Sequence, residues 1–191
     1  METFLSILVG IGLSAACGFR VFVPMLIVSA AAWMGWLPLS ADFQWLGTLP
    51  ALIAFAVATV VEVAAYYVPW VDNALDALAG PVATVAGTVL MASVLGDMTP
   101  HLKWTLAIIA GGGTAATVQS FTTVARAGSS VVSLGFLNPL FATVELIGAT
   151  GLAVLVIALP IAGLLVAGGV IWLLVRFVRR CRRPTSSSSP A

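Results

Sequence analysis

Charged side chains are scarce in this sequence: only 8% of its 191 residues are Asp, Glu, Lys or Arg. Hydrophobic residues make up 61%, and the mean hydropathy is +1.13. A soluble domain carries about 25% charged residues, so this chain has too few polar groups to cover its own surface. Because lipid solvates the excess apolar area, the composition predicts an integral membrane protein with the lipid bilayer as its partner.

Histidine and cysteine are nearly missing, with one histidine, His101, and two cysteines, Cys17 and Cys181. The cysteines lie in segments far apart, so neither a disulfide framework nor a zinc site is expected. Haem and iron–sulfur clusters would lack ligands, and a phosphate-binding loop of the GxxxxGK type is missing. We therefore expect no cofactor, no metal and no enzymatic activity.

Basic residues are concentrated at one end of the chain. Five of the eight lie in the last 16 positions: Arg176, Arg179, Arg180, Arg182 and Arg183. The rest of the chain is nearly neutral, so no nucleic-acid partner is expected. Arginines that flank a span stay on the cytoplasmic side, which predicts a cytoplasmic C-terminus. We expect one transmembrane domain, 1–180, and a disordered cytoplasmic tail, 181–191.

Apolar runs of about 20 residues, the length that crosses a bilayer core, predict an all-α bundle of about six spans. The first run is too long for one straight crossing and is expected to tilt or to break near Gly18–Pro24. Gly80-Pro81 is expected to end a short helix and start the third span. The six predicted spans are Phe4–Trp36, Leu49–Val68, Pro81–Leu95, Trp104–Val124, Pro139–Ala158 and Ile161–Val178.

A weak internal similarity suggests two related halves. The segment Gly10–Ala16 is similar to Gly111–Ala116, and an arginine follows each, Arg20 and Arg126. Three spans per half would invert the second copy relative to the first, as in many secondary transporters. Small residues also recur every four positions, as at Gly10, Ser14 and Gly18, which predicts close helix packing within the chain or in a homo-oligomer.

Three charged residues, Arg20, Glu62 and Glu145, fall within or beside the predicted spans. Placing a charge at the centre of a membrane helix costs about 2.5–3.5 kcal/mol, so such residues should face the interior and find partners. We expect Arg20 to pair with Glu62, Glu145 or both. The group forms either a binding site or ion path, or a neutral lock between helices. Alternatively, these side chains extend to the membrane–water interface.

A polar stripe follows on the fourth span, where Gln119, Thr123 and Arg126 are spaced to lie on one helix face. It lines a hydrated path for a solute or ion, or it serves helix–helix hydrogen bonding. Asp72 and Asp76 stand one helical turn apart before the third span. They would bind a cation or receive protons, or form an ordinary capped connection.

Three groups of residues stand out as possible motifs: Gly18-Phe19-Arg20, Glu62 through Pro69 to Asp72, and Asn138-Pro139 to Glu145. Together they resemble a family of small bacterial integral membrane proteins known only as a domain of unknown function. The resemblance covers about residues 5–175 and implies a polytopic protein of the bacterial inner membrane, without implying a substrate. The family pattern has an Asp-Lys pair where this chain has Tyr66 and Tyr67.

These features favour a transporter or channel for a small solute or ion, with Arg20, Glu62 and Glu145 as its polar centre. A structural or assembly protein that packs through small-residue faces is the first alternative. A lipid-handling protein is the second. A water-accessible cavity at Arg20 would indicate the transporter or channel. A dry paired cluster would indicate the structural protein, and a lateral opening would indicate the lipid-handling protein.

Overall fold

Every described segment of regular backbone is helical in this computed structural model, which describes residues 2–67, 69–96, 98–133 and 138–181. Side chains are described for residues 3–67, 78–96, 98–126, 140–169, 171–173 and 176. The helices are α1 Glu2–Cys17, α2 Phe22–Trp33, a 3₁₀ helix Ala41–Gly47, α3 Leu49–Ala65, α4 Pro69–Val94, α5 Pro100–Leu106, a π-helical segment Ala107–Gly112, α6 Gly113–Ser133, α7 Asn138–Ala158 and α8 Pro160–Cys181. The all-α class is thus confirmed for the described residues.

The expected break near Gly18–Pro24 is confirmed, because the chain leaves helical conformation over residues 18–21, between α1 and α2. Gly18 lies so close to α6 that a Cβ there would stand 2.4 Å from the Cβ of Val118. Pro24 falls in the first turn of α2, where the missing N–H costs no helical hydrogen bond. The proline therefore begins a new helix instead of kinking an old one.

The helix α1 runs antiparallel to α4. Gly10, early in α1, lies against Met91, late in α4. Further along α1, the Ser14 hydroxyl donates to the carbonyl of Gly87 at 2.8 Å. Since the contacts move toward the start of α4 as they move toward the end of α1, the two helices point in opposite directions.

The helix α2 then turns back. Its Ser29 hydroxyl donates to the Leu46 carbonyl at 2.6 Å, just before α3, while the Glu62 carboxylate, late in α3, lies at the start of α2. The amide of Ser40 donates to the Ser93 carbonyl at 2.8 Å, which places the start of α3 beside the end of α4. The helix α2 therefore returns to the end of the bundle where α1 begins, called here the first end.

The two segments of the suggested repeat run in the same direction. Gly10 and Gly111 both lie against Met91, and Gly18, further along α1, lies against Val118, further along α6. An inverted repeat requires opposite directions, so that prediction is wrong for these segments. The reason is the fold-back of the first apolar run, which leaves an odd number of passages, α2, α3 and α4, between them.

Two predicted boundaries are also wrong. The backbone is helical through Gly80-Pro81, so α4 is one helix of 26 residues and not a short piece followed by a span. The fourth span, predicted to end at Val124, continues as α6 to Ser133. A proline or a few small polar residues weaken a helix locally, but packing against neighbours overrides this preference.

Helix length and apolar composition together single out one described helix, Leu140–Ala158, as a membrane-span candidate. A second arises only if the 3₁₀ helix and α3, bent by 63°, count as one span. Other apolar stretches, such as Thr3–Cys17 and Phe22–Trp33, have fewer than 18 residues. The six-span organisation is therefore not confirmed, and residues 182–191 of the expected tail lie outside the described residues.

Small residues allow close contact of α1, α4 and α6, which confirms their predicted packing role within the chain. A Cβ on Gly87 would lie 2.6 Å from the Cβ of Ala115 and 3.0 Å from the carbonyl oxygen of Gly111. A Cβ on Gly111 would lie 2.7 Å from the carbonyl oxygen of Gly87. The backbones of α4 and the π-helical segment thus leave no room for a methyl group.

We predict that Gly111→Ala lowers the free energy of unfolding by about 1–3 kcal/mol, because overpacking forces two backbones apart. Thermal unfolding of the purified protein in detergent measures the effect. Gly113→Ala is the matched control, since nothing lies within 4 Å of its Cβ position. That variant should be neutral or slightly stabilising, because alanine is the better helix former. Equal stability of the two variants would contradict the predicted close contact.

Candidate functional site

Three helices bring a charged residue to the same depth in the bundle. Glu62 stands thirteen residues after Leu49, where α3 begins, and Arg126 stands thirteen residues after Gly113. Glu145 stands thirteen residues before the end of α7. At a rise of 1.5 Å per residue, Glu62 and Glu145 each lie about 20 Å along their helices from the first end. The helix that carries Arg126 starts earlier, at α5, and its contact with Glu145 places Arg126 at the same depth. Arg20 reaches the same region from the turn between α1 and α2.

Arg126 and Glu145 form a buried two-point ion pair between α6 and α7. Nε of Arg126 donates to Oε1 of Glu145 at 3.3 Å, and Nη2 of Arg126 donates to Oε2. The two side chains are 5% and 6% exposed. Paired donors on a planar guanidinium match a carboxylate in direction as well as charge, so this contact fixes α6 relative to α7.

Arg20 completes a cluster with this pair. Its Nη2 lies 3.6 Å from Oε2 of Glu145 and donates to the carbonyl of Ala142 at 3.1 Å. The residue is only 2% exposed. Among the described residues, however, Nε and Nη1 of Arg20 find no hydrogen-bond partner. Two donors of a buried cation are therefore left unused.

Tyr66, just after α3, underlies both arginines. The guanidinium carbon of Arg20 lies 3.6 Å from the centre of the tyrosine ring, and that of Arg126 lies 4.4 Å from it. A cation over a buried aromatic face gains about 2 kcal/mol or more when it is desolvated. Sequence reasoning noted Tyr66 only as a departure from a family pattern and missed this role. The signal was an aromatic residue one turn after a buried glutamate.

Glu62 has a different partner from the one expected. Its Oε1 accepts the amide of Val21 at 2.9 Å, and its Oε2 accepts the amide of Phe22 at 3.1 Å. These are free amides at the start of α2, where a helix concentrates partial positive charge. The carboxylate thus caps a helix from another part of the chain.

The expected pairing of Arg20 is confirmed with Glu145, whereas Glu62 acts as a cap. The alternative in which these side chains reach the interface is wrong, since Arg20, Glu62 and Glu145 are each at most 9% exposed. Arg126, expected on a helix stripe, belongs to the same cluster. Among the described residues, the charges of two arginines and two glutamates balance, which favours their burial in a medium of low dielectric constant.

Of the remaining predicted site residues, Gln119 and Thr123 contact each other. Nε2 of Gln119 donates to Oγ1 of Thr123 at 3.2 Å, within α6. Gln119 lies seven residues, or about 10 Å, before Arg126 on the helix. Asp72 and Asp76 lie in the first turns of α4, and their side chains are outside the described part of the chain.

A groove of about 750 Å³ opens beside the cluster, between α2, α3 and α4. The helices α3 and α4 follow each other in the chain, yet α3 packs mainly on α2 and scarcely on α4. Glu62 and Tyr66 line the groove together with the first residues of α2. The other described lining residues on α3 and α4 are aliphatic, and rim residues such as Val61 and Leu78 are more than half exposed. We call it the lateral groove.

The chain belongs to a family described as a domain of unknown function, DUF4126, whose model matches residues 7–180. This confirms the family resemblance given by the sequence motifs. Searches of curated proteins and of solved structures find no match. The family description carries no activity, so any function rests on the geometry of the chain itself.

We predict that Glu145→Gln lowers the free energy of unfolding by about 3–5 kcal/mol, because it leaves two buried guanidiniums without their shared counter-charge. Thermal unfolding in detergent is again the measurement. The double variant Arg126→Gln, Glu145→Gln should recover part of the loss, since it removes one of the stranded charges.

Asp42→Asn provides the control for this prediction. Asp42 forms an ion pair with Lys103 at 3.2 Å near the first end, but its side chain is 79% exposed. Asp42 is open to solvent, and Lys103 keeps a second partner, the Ser40 hydroxyl at 2.9 Å, so the loss should stay at about 0–1 kcal/mol, as for a solvent-screened pair. A loss for Glu145→Gln no larger than that of the control would show that the buried cluster does not hold α6 and α7 together.

Proposed function

We propose that this member of the family is an integral membrane protein that binds a small anionic solute at Arg20 and moves it across the bilayer. The single observation that carries the proposal is the pair of unused donors on Arg20, in a side chain 98% buried. An unsatisfied buried donor costs about 1–3 kcal/mol, and more when it is charged. Oxygen atoms of an anion would supply the missing acceptors.

The local balance of charges supports an anion over a cation. Arg20 shares Glu145 with Arg126, so among the described residues Arg20 has no carboxylate to itself. The other carboxylate, Glu62, accepts two amides of α2 and forms no ion pair with Arg20 among the described contacts. The start of α2 adds further partial positive charge beside Arg20. The centre therefore offers donors, as a carboxylate- or phosphate-bearing solute needs.

The membrane location is supported by the apolar exterior. Large hydrophobic side chains on several helices are about 70% exposed, among them Val60 on α3, Ile109 on the π-helical segment and Leu165 on α8. Monomeric soluble proteins rarely expose contiguous apolar patches larger than a few hundred Å². In lipid the same surface carries no penalty. We propose that the chain forms a polytopic bundle in which α1 and α2 make a hairpin that enters and leaves the membrane on one side.

The arginine-rich end sets the proposed orientation. Basic residues beside a span are retained in the cytoplasm, so the C-terminus lies there, and the location proposed is the bacterial inner membrane.

A structural or assembly role is the second candidate, favoured by one observation. Gly148 and Gly151 on α7, and Gly168 and Gly169 on α8, have no atom within 4 Å of their Cβ positions. These glycines are not used for packing within the described chain and are available to another helix. In that case the charge cluster is only a lock between helices, and no anion binds.

We predict that at least one anion among chloride, phosphate, acetate and succinate raises the unfolding temperature of the purified protein. A ligand at 100 times its Kd stabilises by about 2.7 kcal/mol. Arg20→Gln should abolish this response. Arg20→Lys, which keeps the charge but loses the planar donors, should weaken binding at least about tenfold, the equivalent of one lost charged hydrogen bond. Uptake of the stabilising anion into proteoliposomes tests transport.

Lys103→Gln is the matched control, because Lys103 is also a buried cation but lies at the first end, paired with Asp42. It should leave the response to the anion intact. A folded Arg20→Gln protein that still responds as the wild type does would overturn the anion site. If none of the four anions stabilises the wild type, the structural role is favoured instead.

A further inference from the structure

The lateral groove has the shape of an elongated slot. One wall is a single face of α3, formed by small and aliphatic side chains at intervals of three or four residues: Ala54, Val57, Ala58, Val61 and Ala65. From Ala54 to Ala65 this face is about 17 Å long. Leu78, Ala79 and Val82 of α4 form the opposite wall. Such a slot fits an extended hydrocarbon chain lying parallel to α3.

Among the described lining residues, the polar groups of the groove are confined to one end. Glu62 is its one charged lining residue among those described, and Tyr66 lies one turn further along. Glu62 stands three residues before the end of α3, so this polar end lies about 5 Å from the end of the helix. An apolar slot with one polar end is complementary to a lipid, whose chain and headgroup divide in the same way.

The chemistry of Glu62 selects the headgroup. A carboxylate offers about four acceptor positions, and the amides of Val21 and Phe22 use one on each oxygen. The remaining positions can take only a donor, which excludes an anionic group in direct contact. The Phe22 side chain beside it also lines the groove and can offer an aromatic ring to a cation. A primary ammonium, with three donors, matches this end.

The positive charge nearby is also complementary to such a lipid. Arg20 lies 3.6 Å from the centre of the Tyr66 ring, and Tyr66 lines the groove. A phosphate a few ångströms from the ammonium would meet the field of this guanidinium across the ring. A zwitterionic headgroup therefore fits the polar end better than a purely cationic one.

We propose that the lateral groove binds one membrane phospholipid with a primary ammonium headgroup, the ammonium on Glu62 and an acyl chain along α3. The volume of about 750 Å³ lies within the roughly 300–1,000 Å³ typical of small-molecule sites. The inference depends on the membrane location proposed above but not on anion binding at Arg20. The lipid closes the side of the bundle next to the charged centre.

Lipid titration of the purified, delipidated protein tests the proposal, with native mass spectrometry counting bound lipids. The probes are phosphatidylethanolamine, phosphatidylcholine and phosphatidylglycerol with identical acyl chains. We expect one phosphatidylethanolamine to bind at least about tenfold more tightly than the other two, because only it donates hydrogen bonds from nitrogen to Glu62. No preference for it, or a preference for phosphatidylglycerol, would overturn the ammonium assignment.

Two variants locate the lipid. Ala58→Phe fills the groove and should reduce binding of phosphatidylethanolamine at least about tenfold, the effect of losing more than 1.4 kcal/mol. Ala64→Phe is its control, since Ala64 lies on the same helix, is exposed, and does not line the groove. Unchanged binding in folded Ala58→Phe would show that the lipid sits elsewhere and would overturn the proposal.

Glu62→Gln separates the headgroup from the chain. The amide should reduce the preference for phosphatidylethanolamine over phosphatidylglycerol to less than about threefold, since it replaces a charged acceptor by a neutral one. A preserved tenfold preference in the folded variant would contradict contact with Glu62. If this variant does not fold, because Glu62 also caps α2, the comparison of headgroups and the Ala58→Phe result decide the question. Anion-dependent stabilisation without lipid selectivity would leave the function at Arg20 standing and this inference rejected.

Discussion

The contact on which the rest of the structure depends is the shared use of one carboxylate, Glu145, by two buried arginines. Arg126 holds it from α6 and Arg20 from the turn between α1 and α2, so three distant parts of the chain meet at one group. Burial makes the arrangement strict, because removing one charge strands the others in a medium that cannot solvate them. Tyr66 tightens it by offering its ring to both guanidiniums.

The fold-back of the first apolar run follows from the same constraint. Arg20 can reach Glu145 only if the chain turns near the depth of the cluster, and the turn exposes the free amides that begin α2. Glu62 satisfies two of these amides from α3 and brings its own charge into a compensated position. Helix capping is usually local; here it joins α2 to α3 and closes the polar centre on a second side.

Packing around this centre is divided between inner and outer surfaces. Inside, glycines such as Gly87 and Gly111 let α4 and the π-helical segment approach to backbone contact. Outside, aliphatic side chains on α3, α7 and α8 are left exposed, and the lateral groove continues this apolar surface inward to Glu62. The polar centre, the groove and the apolar exterior are thus adjoining parts of one arrangement, on which both the proposed solute site and the proposed lipid site depend.

The sequence by itself determined that the chain is helical, that Arg20 needs a glutamate partner, Glu62, Glu145 or both, and which family it belongs to. These conclusions rest on local properties of the sequence, namely apolar runs, rare charges and the motifs around Gly18, Glu62 and Asn138. Rules that consider only neighbouring residues are enough to interpret them. Only the tertiary structure decided that α2 turns back, that α4 continues through Pro81, and that Glu62 caps a helix while Arg126 takes its place beside Arg20. These outcomes depend on which surfaces meet across the bundle, because a turn, a cap or an ion pair between distant residues is stabilised by partners that no short stretch of sequence contains.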